Sequence, residues 1–166
     1  MRKLCLLVCC ALLMQLLCSC APKKEEFIEP VNFYYANSNI SYNSPMGVIQ
    51  PEVHEGSEFY DNLLPFLGAY LQGPTSSELK RLIPADIYIV SCRIESDCVN
   101  LVMSSQFSNL SGIKLTAACS ALLMTIHDYT GLEALKISAK DAHLDDKSEI
   151  ILRMDDLVLI DSVEKS

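Results

Sequence analysis

The sequence predicts an α+β fold: a two-layer sandwich with helices on one face of a small sheet, in the order β-β-α-β-β-α-β. Three observations predict it. Two segments, 57–71 and 113–129, repeat apolar residues at three and four spacing, the period of a helix with a buried face. Short runs rich in β-branched and aromatic residues lie around and between them. Turn residues separate these runs, and no internal repeat or low-complexity block interrupts the order.

The elements follow in chain order. Val31–Ala36 and Met46–His54 read as the strands of a loose hairpin, with Asn37-Ser38-Asn39 and Asn43-Ser44-Pro45 as turn residues between them. Ser57 and Glu58 open a helical pattern carried by Phe59, Tyr60, Leu63, Leu64, Leu67 and Leu71. Pro65 leaves two alternatives: the helix begins near Asn62, with Pro65 in its first turn, or Pro65 kinks a longer helix. Gly73-Pro74 stops it, and Thr75-Ser76-Ser77-Glu78 has the spacing of a capping box, predicting one short turn through Leu82.

Ile87–Ile94 and Val99–Met103 read as a hairpin with a two-residue turn at Ser96-Asp97. That register opposes Ile94 to Val99, Cys92 to Leu101 and Val90 to Met103, all pointing inward. Arg93 and Asn100 then share the other face. Cys92 faces the core and Cys98 faces away, which argues against a disulfide between them. Ile113–Tyr129 is the second helix, with Leu115, Ala118, Leu122, Ile126 and Tyr129 as its buried stripe and Gly131 as its stop. Leu135–Ala139 is a strand, and Ile150–Ile160 adds one or two more.

The N-terminal region has a different chemistry. Arg2 and Lys3 precede an apolar run from Leu4 to Leu17, shorter than the roughly 20 residues a spanning helix needs and suited to an export signal. The run ends in Leu17-Cys18-Ser19-Cys20, which resembles a bacterial lipobox. Cleavage between Ser19 and Cys20 makes Cys20 the mature N-terminus, its sulfur carrying a diacylglyceryl group. Residues 1–19 are thus expected to be a lipoprotein signal peptide, 20–29 the lipidated N-terminus and tether, and 30–161 one domain with a C-terminal strand extension. The expected location is the extracytoplasmic face of the cell membrane, with membrane lipid as the first partner; two or more acyl chains anchor stably where one does not.

The signal holds four of the eight cysteines and two of the 13 basic residues but none of the 21 acidic ones, so the net charge of −8 becomes more negative in the mature chain. An acidic chain argues against nucleic acid as a partner.

Three segments resemble one family in order. Leu67-Gly68-Ala69-Tyr70-Leu71-Gln72-Gly73-Pro74-Thr75 with Leu82-Ile83-Pro84, then Val99–Phe107, then Ala121–Leu132 resemble the helix end, strand and second helix of the GerMN domain of sporulation and spore germination lipoproteins. The likeness spans about residues 30–140. It implies a ring-building-motif-like fold, an envelope or spore-assembly role, partners among envelope or sporulation proteins or copies of the chain itself, and no catalysis.

The residues supply little competing chemistry. Asp141, His143, Asp145 and Asp146 alternate like metal ligands, but a calcium loop wants a central Gly and a terminal Glu, and a solvated loop explains them better. His54 and His127 read as surface or half-buried side chains. Cys92 and Cys119 read as two buried thiols in preference to a disulfide. No serine sits on a glycine-bracketed elbow. Asp155 and Asp156, on opposite faces of a strand, cannot cooperate. No catalytic, cofactor-binding or metal residues are therefore assigned, and the chain is expected not to be an enzyme. The expected function is a membrane-anchored interaction or assembly module; the alternative is a small ligand-binding or cell-wall-binding lipoprotein.

Overall fold

The computed structural model describes residues 30–38, 48–55 and 62–157. Val31–Asn37 (β1) pairs antiparallel with Ile49–His54 (β2), as the hairpin reading expects. The first helix, α1, is Leu63–Tyr70. Asn62 is its N-cap, the side-chain oxygen accepting from the Leu64 N–H at 3.3 Å, so Pro65 falls in the first turn where its missing N–H costs nothing. Leu63, Phe66, Leu67 and Tyr70 are buried and Leu64 faces out. Phe59 and Tyr60 lie outside the described residues. Gly73 ends this region with φ of +86°, and the Arg81 guanidinium packs over it while donating to the Leu71 and Gln72 carbonyls. Only glycine accepts both that backbone angle and that close neighbour.

The expected short turn at 75–82 is a correction. Residues 75–78 form no helix, and Leu79–Lys80 (β3) pairs instead with the end of β1. The Thr75 and Ser76 N–H groups, which would open a helix, donate to the Glu52 carboxylate of β2. A tertiary bond to a carboxylate outcompetes a local cap.

Ile89–Glu95 (β4) and Cys98–Met103 (β5) form the hairpin across Ser96-Asp97. Ile94 opposes Val99 and Cys92 opposes Leu101, as read from sequence. The third pair is corrected: a bulge at Val90 moves Ile89 opposite Met103. Val90 and Ile94 are exposed, not inward, because β4 is the sheet's outer strand and nothing covers its far side among the described residues.

A 3-10 turn at Ser105–Asn109 buries Phe107 and leads into α2, Gly112–Thr130. Gly131 caps α2 in the left-handed conformation at φ +71°. Ala134–Ala139 (β6) runs parallel to β5, the crossover being α2, and Ile150–Arg153 (β7) closes the sheet. The chain then enters a 3-10 turn at Met154–Asp156, so Asp155 and Asp156 are not strand residues. The Asp156 carboxylate accepts the Arg153 N–H at 3.1 Å, which turns the chain there. Residues 158–160 lie outside the described residues.

The α+β two-layer arrangement is therefore present, with the strands divided between two sheets, β2-β1-β3 and β4-β5-β6-β7. The expected stripe of α2 is buried at Leu115, Ala118, Leu122 and Ile126, with Tyr129 half-buried against the core. A second flank, Ala121, Thr125 and Asp128, faces β1. There the Thr125 hydroxyl accepts the Tyr34 N–H at 3.1 Å, and Asp128 accepts the Asn32 N–H at 2.9 Å. Helix side chains thus occupy the strand edge that β2 leaves open. Thr125→Val keeps the shape and removes the acceptor; it is expected to cost about 1–2 kcal/mol in urea unfolding. A variant as stable as the parent would show that this bond does not hold β1 to the helix.

Candidate interaction surface

Ser19 and Cys20, the expected cleavage and lipidation residues, lie outside the described residues. The candidate metal residues are placed in the loop after β6. Asp141, Asp145 and Asp146 adopt left-handed backbone angles, which short polar side chains tolerate. Leu144 anchors the loop in the core, and Asp145 accepts the Gly112 N–H at 2.9 Å at the start of α2. Among the described residues no three His, Cys, Asp or Glu side chains converge to hold a metal.

Cys92, Cys98 and Cys119 are free thiols. Burial pushes the Cys119 thiol up to about 12 and also raises that of Cys92, which leaves both as poor nucleophiles at neutral pH. The His127 ring nitrogen Nδ1 lies 3.2 Å from the Leu132 carbonyl, past the end of α2.

A cluster that the sequence reading missed centres on Glu52. One carboxylate oxygen accepts from the Thr75 N–H (3.0 Å), the Thr75 hydroxyl (2.9 Å) and the Ser76 N–H (2.8 Å). The other lies 2.8 Å from His54 Nε2. Burial opposes the charge on Glu52, yet the bonds from Ser76, His54 and Thr75 outweigh it and hold the carboxyl below its ordinary range. The His54 ring packs 4.3 Å from Phe33, so the cluster ties β2 to the core and to the loop after α1. Its arrangement is structural: each polar group already has an internal partner. The sequence offered one signal, an acid and a histidine two apart and hence on one face of a strand.

Beneath it lies an aromatic core. Phe33 meets Phe66 edge-on at 5.1 Å, Phe66 stacks on Tyr129 at 4.0 Å, and Tyr35 stacks on Tyr70 at 5.0 Å. The Tyr35 hydroxyl donates to the Tyr70 carbonyl at 2.8 Å. The Tyr70 hydroxyl is the one buried side-chain polar atom without a hydrogen-bond partner among the described residues. Tyr70→Phe is therefore expected to leave stability unchanged or raise it by about 1 kcal/mol, since it removes an unsatisfied buried group. A thermal melt showing a clear loss would mean that the hydroxyl has a partner.

The outer face of the four-stranded sheet is open. Registers align Arg93, Asn100, Lys136 and Ile151 in one row across it, and Lys136 pairs with Glu149 at 3.1 Å. The edges differ. The far edge of β1 is occupied by β3 and α2. In β2, Pro51 opposes Tyr34, whose N–H points to Thr125; Pro51's missing donor therefore falls on the open side and blunts that edge. Four residues make β7. Seven make β4, and Val90 and Ile94 are exposed along it, with Tyr88 exposed just before it. An open cleft of about 380 Å³ lies beside Pro30, Val53, His54 and Glu55.

Comparison with solved structures places this arrangement. The tandem GerMN domains of the sporulation protein GerM from Bacillus subtilis superpose with a TM-score of 0.53 at 16% identity, over 74% of this chain and 43% of that one. The fold is GerMN-like. The chain spans less than half of the tandem protein, the share that one domain of a pair would occupy. A Clostridium perfringens chain named as a putative lipoprotein matches over 78% of this chain and 89% of its own length, at 18% identity and a TM-score of 0.49. Neither a family model nor a curated protein sequence matches. Within the GerMN-like fold the three segments singled out in the sequence form the end of α1 with its Gly73-Pro74 loop, β5 with the 3-10 turn after it, and the second half of α2. None of the described helices is long and apolar enough to cross a membrane.

Proposed function

We propose that this chain is a non-enzymatic interaction and assembly module, held at the extracytoplasmic face of the membrane by lipid on Cys20 and working in the cell envelope or in sporulation. The GerMN-like fold carries the reading, because its solved counterpart is named as a sporulation protein. The Leu17-Cys18-Ser19-Cys20 sequence supports the anchor. The buried thiol of Cys119, the burial-raised thiol of Cys92 and the internally satisfied Glu52–His54 cluster support a scaffold over a catalyst. Its partners on this reading are envelope or sporulation proteins, or copies of itself.

Cys20→Ala is expected to move the protein from the membrane fraction to the soluble fraction of cells, read by fractionation and immunoblot. Persistent membrane binding of that variant would remove the lipid anchor from the proposal. In-cell crosslinking is expected to recover envelope proteins. The cleft beside Pro30 and His54 favours the second reading, binding of a small wall fragment. Retention of the soluble Cys20→Ala chain on purified wall material, lost when Val53→Asp fills the cleft wall with charge, would favour that reading over the first.

A further inference from the structure

We propose that the lipid-anchored domain stands end-on to an anionic bilayer, held off it by like charge, with the end at Pro30 toward the lipid and the start of α2 turned away. The inference rests on the lipid-anchor reading and adds which surface the anchored chain offers to partners.

Pairing collects one end of the domain from several segments. β1 begins at Val31, opposite His54 at the end of β2. The Asn32 N–H donates to Asp128, which brings the C-terminal end of α2 to the same place. Ala134, just past α2, lies between Cys98 and Arg153, and Cys98 pairs with Glu95 across the turn at Ser96-Asp97. The Met154 N–H donates to the Glu133 carbonyl, which fixes the last 3-10 turn there too. The chain that leads back to Cys20 joins the domain at this end, at Pro30. Residues 20–29 span at most about 35 Å, so this end stays near the lipid. The 19 residues of α2 set its start about 28 Å away along the helix axis. Inverting the domain would take up nearly all of the span of residues 20–29 in passing the domain itself.

The two ends differ in charge. Glu55, Glu95, Asp97, Glu133, Asp155 and Asp156 are exposed at the first, and Arg153 is the one Lys or Arg among the described residues of these segments. At the other end Lys80, Arg81, Lys114, Lys140 and Lys147 offset as many acids. Lys80 lies there because it pairs with the end of β1, and Lys140 because its N–H donates to Met103 at the end of β5. Anionic headgroups attract basic side chains, and the same field repels acidic ones. It reaches about 8 Å at 0.15 M salt and about 30 Å at 0.01 M, both within the span of residues 20–29. The acyl chains therefore keep the domain at the membrane while its inner end is pushed from the lipid. Ile113, 89% exposed at the start of α2, then belongs to the outward surface together with the loop after β6.

The test uses the full lipidated chain, with Cys92→Ser and Cys98→Ser as background, reconstituted in vesicles of phosphatidylcholine or of phosphatidylglycerol. Cys119 is buried and takes no dye. A donor dye is placed at Ser96→Cys or at Ile113→Cys, and the lipid headgroups carry the acceptor. Energy transfer is expected to be higher from position 96 than from position 113 on both lipids. In about 0.01 M salt, transfer from position 96 is expected to be at least about twofold lower on phosphatidylglycerol than on phosphatidylcholine, and in about 0.5 M salt equal on the two. Glu95→Lys, Asp97→Lys and Glu133→Lys together are expected to abolish the low-salt difference, whereas Lys114→Glu at the far end leaves it in place. An unchanged thermal melt checks that each variant is folded. Higher transfer from position 113, or equal transfer from position 96 on the two lipids in low salt, would overturn the proposal; the anchor reading stands if the chain still floats with the vesicles. If the parent chain floats no better than Cys20→Ala, the anchor reading falls and the orientation falls with it.

Discussion

Leu122→Ala is expected to cost about 3 kcal/mol of folding stability, the largest loss among the substitutions considered. Leu122 is fully buried in the middle of α2, on the helix's core-facing stripe. Truncating a buried leucine removes its transfer free energy and leaves a cavity, together about 2–5 kcal/mol. The flank of α2 is fixed to β1 through Thr125 and Asp128, so the helix cannot slide to close the gap. Urea unfolding of the Cys20→Ala chain, with and without Leu122→Ala, reads the difference as a shift in midpoint at constant slope. A shift equivalent to less than about 1 kcal/mol would mean that the core relaxes around the cavity and that α2 is not pinned as described.

Glu52→Ala is expected to cost about 2–3 kcal/mol, because it strips acceptors from two backbone N–H groups and a hydroxyl in the loop after α1. The same carboxylate predicts an acid limit. Burial alone would raise its pKa, but the bonds from Ser76, His54 and Thr75 hold it below the ordinary value near 4.5. A carboxyl depressed in the folded state contributes stability that is complete above its unfolded pKa. That contribution is lost as pH falls through the folded value. The parent chain should therefore lose stability below about pH 4.5 in part through this group, and Glu52→Gln should flatten that part of the profile while being less stable at neutral pH. Unfolding curves between pH 7 and pH 2 check it. Parallel profiles for parent and Glu52→Gln would show that the cluster does not couple to protonation.

The local elements were legible where their signals were local. Asn62 and Pro65 together mark the first turn of α1, and Gly131 marks the end of α2 at the glycine that takes the left-handed angle. The Ser96-Asp97 turn and the alternation around it located β4 and β5 and two of their pairs. Misreadings arose where a distant residue intervened. Thr75-Ser76-Ser77-Glu78 carries a capping-box pattern, but Glu52, 23 residues earlier, takes the Thr75 donor. Val90 satisfies the alternation of an inward position, but a bulge turns the register at a sheet edge. Asp155 and Asp156 sit in an apolar run that reads as strand, but the Asp156 side chain accepts the Arg153 N–H and bends the chain.

The sequence by itself determined the class of fold, because helix and strand periods are written in residue spacing, and its first 20 residues read as an export signal ending at Cys20. It also carried the GerMN likeness in three ordered segments. Only the tertiary structure decided that the strands divide into two sheets, that α2 buries two flanks, and which edges stay open. Those outcomes depend on backbone groups and carboxylates that meet across dozens of residues. The spacing of neighbours encodes what a segment can form, and the competition for buried hydrogen bonds selects what it pairs with.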